Sequence, residues 1–127
     1  MTDLLYIIKW EKCLDDIIGK SDVRIMSISE DGALVNTSRD DYLVNEILDI
    51  GCTVYARHYR FRLIKVGDLN EAISILRPFD AWVEDDVINF VVNPLRLSTL
   101  SMAKVLYGLG FDLELISESD VEFVKYS

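Results

Sequence analysis

Apolar residues recur along the chain with two spacings, and these spacings predict alternating helices and strands. Residues three or four positions apart indicate amphipathic helices, whereas strict alternation indicates strands with one buried face. The first pattern predicts four helices, which are Asp3–Ile18, the segment between Ser38 and Gly51, Asp68–Arg77, and the segment from Asn93 to Gly108 or Gly110. The first helix has an alternative, because Tyr6-Ile7-Ile8 also fits a short strand.

The second pattern, together with turn residues, predicts seven strands. They cover 23–29, 33–36, 52–66, 79–83, 87–92, 111–116 and 121–126. The turns between hairpin strands are Glu30-Asp31-Gly32, Glu84-Asp85-Asp86 and Ser117–Asp120. Asp-Gly is typical of tight hairpins because glycine readily adopts positive φ angles.

The predicted element order is α-ββ-α-β followed by α-ββ-α-ββ. Strands joined as hairpins indicate a mainly antiparallel sheet, and the amphipathic helices are expected to pack on one face of it. The fold class is therefore α+β. No stretch rich in proline, glycine or serine separates two parts of the chain, so residues 1–127 are expected to form a single domain.

The two halves of the chain resemble one another. SEDGALVN, a helix and LDIGCTVYA in the first half correspond to VEDDVINFVVN, a helix and LYGLGFDLEL in the second. Each half has an acidic turn, a strand ending in asparagine, an amphipathic helix, a glycine and a further strand. We therefore hypothesise an internal duplication of residues 1–66 and 67–127.

The segment VRIMSISEDGALVN, with a helix predicted on either side, resembles in outline the opening of roadblock-type domains. The resemblance covers about 50 residues and rests on one hairpin turn. It implies a fold that dimerises and binds partners. The second helix-hairpin-helix unit departs from the roadblock plan of continued strands and one closing helix, so no family is assigned.

Composition and charge narrow the class of protein. Half of the 127 residues are apolar, as in an ordinary globular domain, and the formal net charge is −9. This charge disfavours general binding to nucleic acid or to anionic membranes. Cys13 and Cys52 lack a CxxC spacing and a nearby histidine, so they are expected to be reduced core residues, although a disulfide remains open. The start of the chain does not match a signal peptide, and a cytoplasmic location is expected.

Signatures of catalysis and of metal or cofactor binding are not found in the sequence. His58 is the only histidine, and no GxSxG motif accompanies it. Glu84-Asp85-Asp86 fits a solvated hairpin turn better than a cation site, because consecutive turn residues point in different directions. Gly108-Leu109-Gly110 lies at a helix end, where carbonyl groups rather than N–H groups would face a phosphate.

One segment combines basic and aromatic residues, and we call residues 55–65 the basic aromatic strand. On a strand, Tyr55, Arg57, Tyr59, Phe61 and Leu63 share one face, and His58, Arg60 and Arg62 share the other. Basic and aromatic side chains on an exposed strand can bind single-stranded nucleic acid or an acidic protein. The candidate binding residues are Tyr55, Arg57, His58, Tyr59, Arg60, Phe61 and Arg62.

A purely structural interpretation competes with this one. Aromatic residues on one face of a strand commonly form core, and arginines opposite can pair with carboxylates of neighbouring strands. Trp10 and Trp82 are expected to be partly buried, and would mark an interface if exposed.

The first functional hypothesis is a non-enzymatic protein-interaction module that acts through sheet edges and the basic aromatic strand and can form a homodimer. The alternative is an RNA or single-stranded DNA binding protein that uses the same strand. A third alternative is an enzyme that uses carboxylates such as Asp80 and Glu84.

Overall fold

The computed structural model describes residues 4–18, 23–37 and 41–125, and its fold is α+β, as predicted. The strands are β1 Leu4–Ile8, β2 Arg24–Ile28, β3 Ala33–Asn36, β4 Thr53–Lys65, β5 Asp80–Glu84, β6 Val87–Val92 and β7 Asp112–Phe123. The helices are α1 Leu14–Ile18, α2 Asp41–Asp49, α3 Leu69–Leu76 and α4 Thr99–Gly108, with one 3-10 turn at Trp10–Lys12. None of the described helices is long and apolar enough to cross a membrane. The predicted start of the second helix at Ser38 lies outside the described residues.

Two predicted elements are wrong. Residues 4–8 form strand β1 and not the start of a helix, so the alternative for Tyr6–Ile8 is confirmed. Leu5 and Ile7 are both buried, as alternation on a strand requires. The predicted turn at 117–120 is also a strand, because β7 runs without a break from Asp112 to Phe123. Its partner β4 is a long strand, and the backbone hydrogen bonds between β4 and β7 keep this segment extended. They outweigh the weak local preference of these residues for a turn.

The chain divides into two compact units, and the first consists of residues 1–55 with 122–127. Its strand order is β2-β3-β1-β4, with all three pairings antiparallel. With α1 after β1 and α2 after β3, this is the β-α-β-β-α-β order of a split β-α-β unit. Its buried apolar residues include Leu5, Ile7, Ile17, Val35, Ile47 and Val54.

Gly32 closes the β2–β3 hairpin, but for a different reason from the predicted one. Its φ angle is not positive. A Cβ atom at this position would instead lie 2.6 Å from the Tyr6 ring and 2.7 Å from the Ile7 carbonyl oxygen. Glycine is required here because the hairpin turn packs directly onto β1.

Cys13 and Cys52 form a disulfide, so the expectation of reduced cysteines is wrong. Their Cα atoms are 5.5 Å apart, within the range that a disulfide spans, and both side chains are almost fully buried. The 39-residue separation between them in sequence gave no sign of this proximity. The bond ties the segment before α1 to the start of β4.

The second unit consists of residues 56–121. Its strand order is β5-β6-β4-β7, and α3 and α4 follow β4 and β6 respectively. Both helices pack on one face of these strands, as predicted. The shared core comprises Tyr59, Phe61, Ala72, Leu76, Ile88, Phe90, Val92, Met102, Leu106 and Phe111. Asp68 caps α3 by accepting a hydrogen bond from the Glu71 backbone N–H through its side chain.

The predicted duplication stays a hypothesis. The two units have the same element order and equivalent strand orders, with β1, β2, β3 and β4 of the first matching β4, β5, β6 and β7 of the second. Their boundaries differ from the predicted 1–66 and 67–127, because β4 contributes residues to both and residues 122–127 belong to the first.

Gly67 links β4 to α3, and its substitution tests how tightly this part of the second unit is packed. A Cβ atom there would lie 2.4 Å from the Leu109 carbonyl oxygen and 2.9 Å from the Gly110 carbonyl carbon, and neither backbone atom can move freely. We expect Gly67→Ala to lower the free energy of unfolding by about 1–3 kcal/mol, as overpacking does. Urea denaturation measures the change. Gly108→Ala is the control, because a Cβ there meets nothing within 4 Å; equal effects of the two changes would contradict the packing argument.

The disulfide gives a second prediction. Closing a loop of 39 residues is expected to stabilise the protein by roughly 4 kcal/mol through the entropy of the unfolded chain. The denatured, unreduced protein should contain no titratable thiol, and dithiothreitol should lower its melting temperature. Cys13→Ala combined with Cys52→Ala should melt at the temperature of the reduced protein and be insensitive to dithiothreitol. Two free thiols in the untreated protein would refute the pairing.

Candidate functional site

The structure separates the candidate residues of the basic aromatic strand into buried and exposed groups. Tyr59 and Phe61 are almost fully buried, at 0% and 3% exposure, in the core beneath α3 and α4. The Tyr59 hydroxyl also lies 3.1 Å from the Thr99 hydroxyl, so its polar end has a partner. These two rings therefore cannot stack on a ligand, and for them the structural interpretation holds.

Two further candidates are engaged with neighbouring side chains. Within the first unit, the half-buried Tyr55 ring packs edge-to-face against Tyr6, with centroids 6.4 Å apart. Within the second, Arg57 is half-buried and donates a hydrogen bond to Asp120 at 2.8 Å. This ion pair, like that between Arg62 and Glu114, also shows that β7 runs antiparallel to β4.

The remaining candidates lie on the face opposite α3 and α4, which we call the open face. The register places Arg60 opposite Asn89, and Asn89 opposite Trp82, so these three form a row across β4, β6 and β5. The flanking rows are His58, Val91 and Asp80 on one side and Arg62, Val87 and Glu84 on the other. Directly opposed residues share a face, so all nine belong to the open face.

The centre of the open face is a pair of aromatic rings over a buried amide. The His58 and Trp82 rings are tilted, with centroids 5.3 Å apart, and both side chains are half-buried. His58 Nε2 lies 2.8 Å from Asn89 Oδ1, and Asn89 is only 3% exposed. Because His58 satisfies the amide oxygen and Trp82 lies across it, both rings are held in place by the sheet.

Charges are divided between the two sides of the open face. On β4, Arg60 is exposed and makes no ion pair with any described residue. Arg62 is also exposed, with Asp86 at 3.8 Å and Glu114 at 3.6 Å. On β5, Asp80 and Glu84 are exposed, and Glu84 accepts a hydrogen bond from Trp82 Nε1. The face is therefore positive along β4, negative along β5 and aromatic between them.

The acidic turn between β5 and β6 is a structural feature. Asp85 has a left-handed backbone, with φ of 55°, as tight hairpin turns require. Asp86 faces Arg62, and its carbonyl oxygen accepts a hydrogen bond from the Leu63 N–H. Among the residues that the structure describes, no three His, Cys, Asp or Glu side chains are grouped so that they could hold a metal ion.

The sequence identified the arginines of the open face but not its central pair. Trp82 is half-buried, as predicted, yet the spacing of residues could not show that it meets His58 across β6. The partner strand and its register determine that contact. One signal in the sequence bears on this contact. The position of the Glu84–Asp86 turn sets the register of the β5–β6 hairpin, and that register places Trp82 opposite Asn89.

The contact between His58 and Asn89 gives a testable consequence. His58→Ala should lower the free energy of unfolding by about 1–3 kcal/mol, because it leaves a buried amide oxygen without a partner. Arg60→Ala, two residues along the same strand, should change it by at most about 0.5 kcal/mol. Thermal and urea unfolding of the two variants provide the comparison. A similar, small effect of both substitutions would show that water satisfies Asn89 equally well.

Comparison of the chain with protein-family models, with curated proteins and with solved structures finds no match. The residues of the open face and their geometry are therefore the basis for a functional proposal.

Proposed function

We propose that the protein is a non-enzymatic protein-interaction module that binds a protein partner through the open face. The observation that supports this proposal is the combination of Trp82 with Arg60, which is exposed and has no ion pair with a described residue, on one face of the sheet. Tryptophan and arginine are the residue types most enriched among those that dominate binding energy. The rings are already held by Asn89 and the sheet, so little side-chain entropy is lost when a partner binds.

The alternative, binding of single-stranded RNA or DNA, has less support. Tyr59 and Phe61 lie in the core and are not available for stacking on bases. On the open face the charges of Arg60 and Arg62 are matched in number by Asp80 and Glu84. Phosphate binding requires a net positive groove, and this face is neutral in sum. A module of mixed charge fits a protein surface better than a phosphate chain.

The third alternative was catalysis by Asp80 and Glu84. These carboxylates stand at opposite ends of β5, which places them roughly 13 Å apart along the strand. The paired carboxylates of glycoside hydrolases, for comparison, lie about 5–9.5 Å apart. Nothing in their position supports this alternative.

A second copy of the chain is one partner that fits the open face. Rotation about a two-fold axis through its centre would place the arginines of one copy against Asp80 and Glu84 of the other, which is the self-complementarity that a two-fold dimer requires. We therefore include in the proposal a homodimer that forms through the open face. Sedimentation equilibrium tests it, because Arg60→Glu should shift such a dimer to monomer.

The cellular location is a separate question. The cytoplasmic location was predicted because the start of the chain does not match a signal peptide, whereas the Cys13–Cys52 disulfide favours an oxidising compartment or the interior of a hyperthermophile. Alkylation of thiols in intact cells before lysis would distinguish these locations from a reducing cytosol.

The proposal is tested by quantitative affinity capture from native lysate after nuclease treatment. Arg60→Glu combined with Trp82→Ala should reduce recovery of specific partners, including untagged copies of the chain, by roughly tenfold or more. Lys65→Glu reverses a charge at the end of the same strand, outside the open face, and should leave recovery unchanged. Equal recovery by all three proteins would refute the proposal. Partners that disappear with nuclease would favour the nucleic-acid alternative.

A further inference from the structure

A groove of about 410 Å³ lies between α4 and β7 in the second unit, on the face that carries the helices. Phe61 and Phe111 lie at its base and are almost fully buried. Ala103 and Tyr107 of α4 line one side, and Leu113 and Leu115 of β7 line the other. Tyr107 is 79% exposed and Leu115 44%, so the walls of the groove present apolar surface to solvent.

The strand beside this groove has a free edge. Among the described strands, β7 pairs only with β4, so no described strand covers the other edge of its residues 112–119. An edge strand next to an apolar groove is the arrangement that binds an extended peptide by strand addition. The peptide backbone extends the sheet, and alternate side chains enter the groove.

The charge of β7 selects the kind of peptide. The strand carries five carboxylates and no basic residue, namely Asp112, Glu114, Glu118, Asp120 and Glu122. Glu114, Asp120 and Glu122 form ion pairs with Arg62, Arg57 and Lys9, so the carboxylates left without an ion pair to a described residue are Asp112 and Glu118. Asp112 lines the groove after the end of α4, and Glu118 accepts a hydrogen bond of 2.7 Å from Thr99, a lining residue at the start of α4. Lys104 is the only basic residue among those that line it. Pairing of β7 with β7 of a second copy would set carboxylates against carboxylates, which is destabilising.

We propose that the free edge of β7 and the α4–β7 groove bind an extended segment of a partner protein in which basic and apolar residues alternate. The six residue steps from Asp112 to Glu118 span about 20 Å, enough for a segment of roughly seven residues. Its apolar side chains occupy the groove over Phe61 and Phe111, and its basic side chains meet Asp112 and Glu118 at the two ends of that span. This surface is separate from the open face and does not depend on it.

Fluorescence anisotropy with a labelled peptide, Lys-Leu-Lys-Phe-Lys-Val-Lys, tests the proposal at physiological ionic strength. Leu115→Asp should weaken binding by roughly tenfold or more, whereas Ile116→Asp, a neighbour that does not line the groove, should leave it unchanged. Circular dichroism verifies that both variants are folded. Tyr107→Ala, which removes a highly exposed ring, should also weaken binding, with Leu100→Ala on the same helix as its control.

Three outcomes would overturn the proposal. The first is equal binding of a peptide with the same composition but with its four lysines in one block, since that indicates non-specific attraction to an acidic protein. The second is the absence of any difference between the groove variants and their controls, which includes the absence of binding. The third is self-association that Leu115→Asp abolishes, because the occupant would then be a second copy. The variant Arg60→Glu with Trp82→Ala should retain peptide binding. Failure of the proposal for the open face can therefore be distinguished from failure of the proposal for the groove.

Discussion

The antiparallel ladder between β4 and β6 determines what the second unit presents to solvent. It pairs Arg57–Arg62 with Val87–Val92 in an unbroken register. Because side chains alternate, this register sends Tyr59 and Phe61 into the core and His58, Arg60 and Arg62 to the open face. A slip of one residue would expose two aromatic rings, each worth about 1.5–3 kcal/mol of burial, and would force arginines into an apolar core. The register is thus fixed by the core, and the composition of the open face follows from it.

The open face is part of the structure as well as a surface. Asn89 occupies the middle strand, and its amide would be costly there without a partner, since an unsatisfied buried polar group costs about 1–3 kcal/mol. His58 supplies the partner and Trp82 covers the contact. The structural interpretation of the basic aromatic strand therefore accounts for His58, Tyr59 and Phe61, and for Arg57 through its ion pair with Asp120. It does not account for Arg60, whose charge no described residue neutralises.

Periodicity predicts those parts of the chain whose local pattern agrees with their tertiary surroundings. The helix α3, the hairpin β5–β6 and the long strand β4 all have several residues of consistent pattern, and each was predicted nearly to its ends. The helix α4 was predicted too long, because it begins at Thr99, six residues after the predicted start at Asn93. The segment before α1 has too few residues to distinguish a strand from a helix, and its place beside β3 decided the outcome. The pairing of Cys13 with Cys52 and the meeting of His58 with Trp82 are contacts between distant residues. Such contacts depend on topology and register, which spacing along one chain does not encode.

In the second unit, carboxylates lie on the strands at the edges of the sheet. Among the described strands of the second unit, β5 and β7 each have an edge that no other strand covers, and both carry carboxylates, which on β5 are Asp80 and Glu84. Charged edge strands resist pairing with copies of themselves, which protects a soluble sheet protein from aggregation. The same charges leave such an edge open to a strand of opposite charge. The arginines of β4 lie between these two edges, so the local charge in the second unit changes sign from β5 to β4 although the net charge of the chain is −9. Because complementary and like charges discriminate between partners, surfaces of different local charge favour different ones.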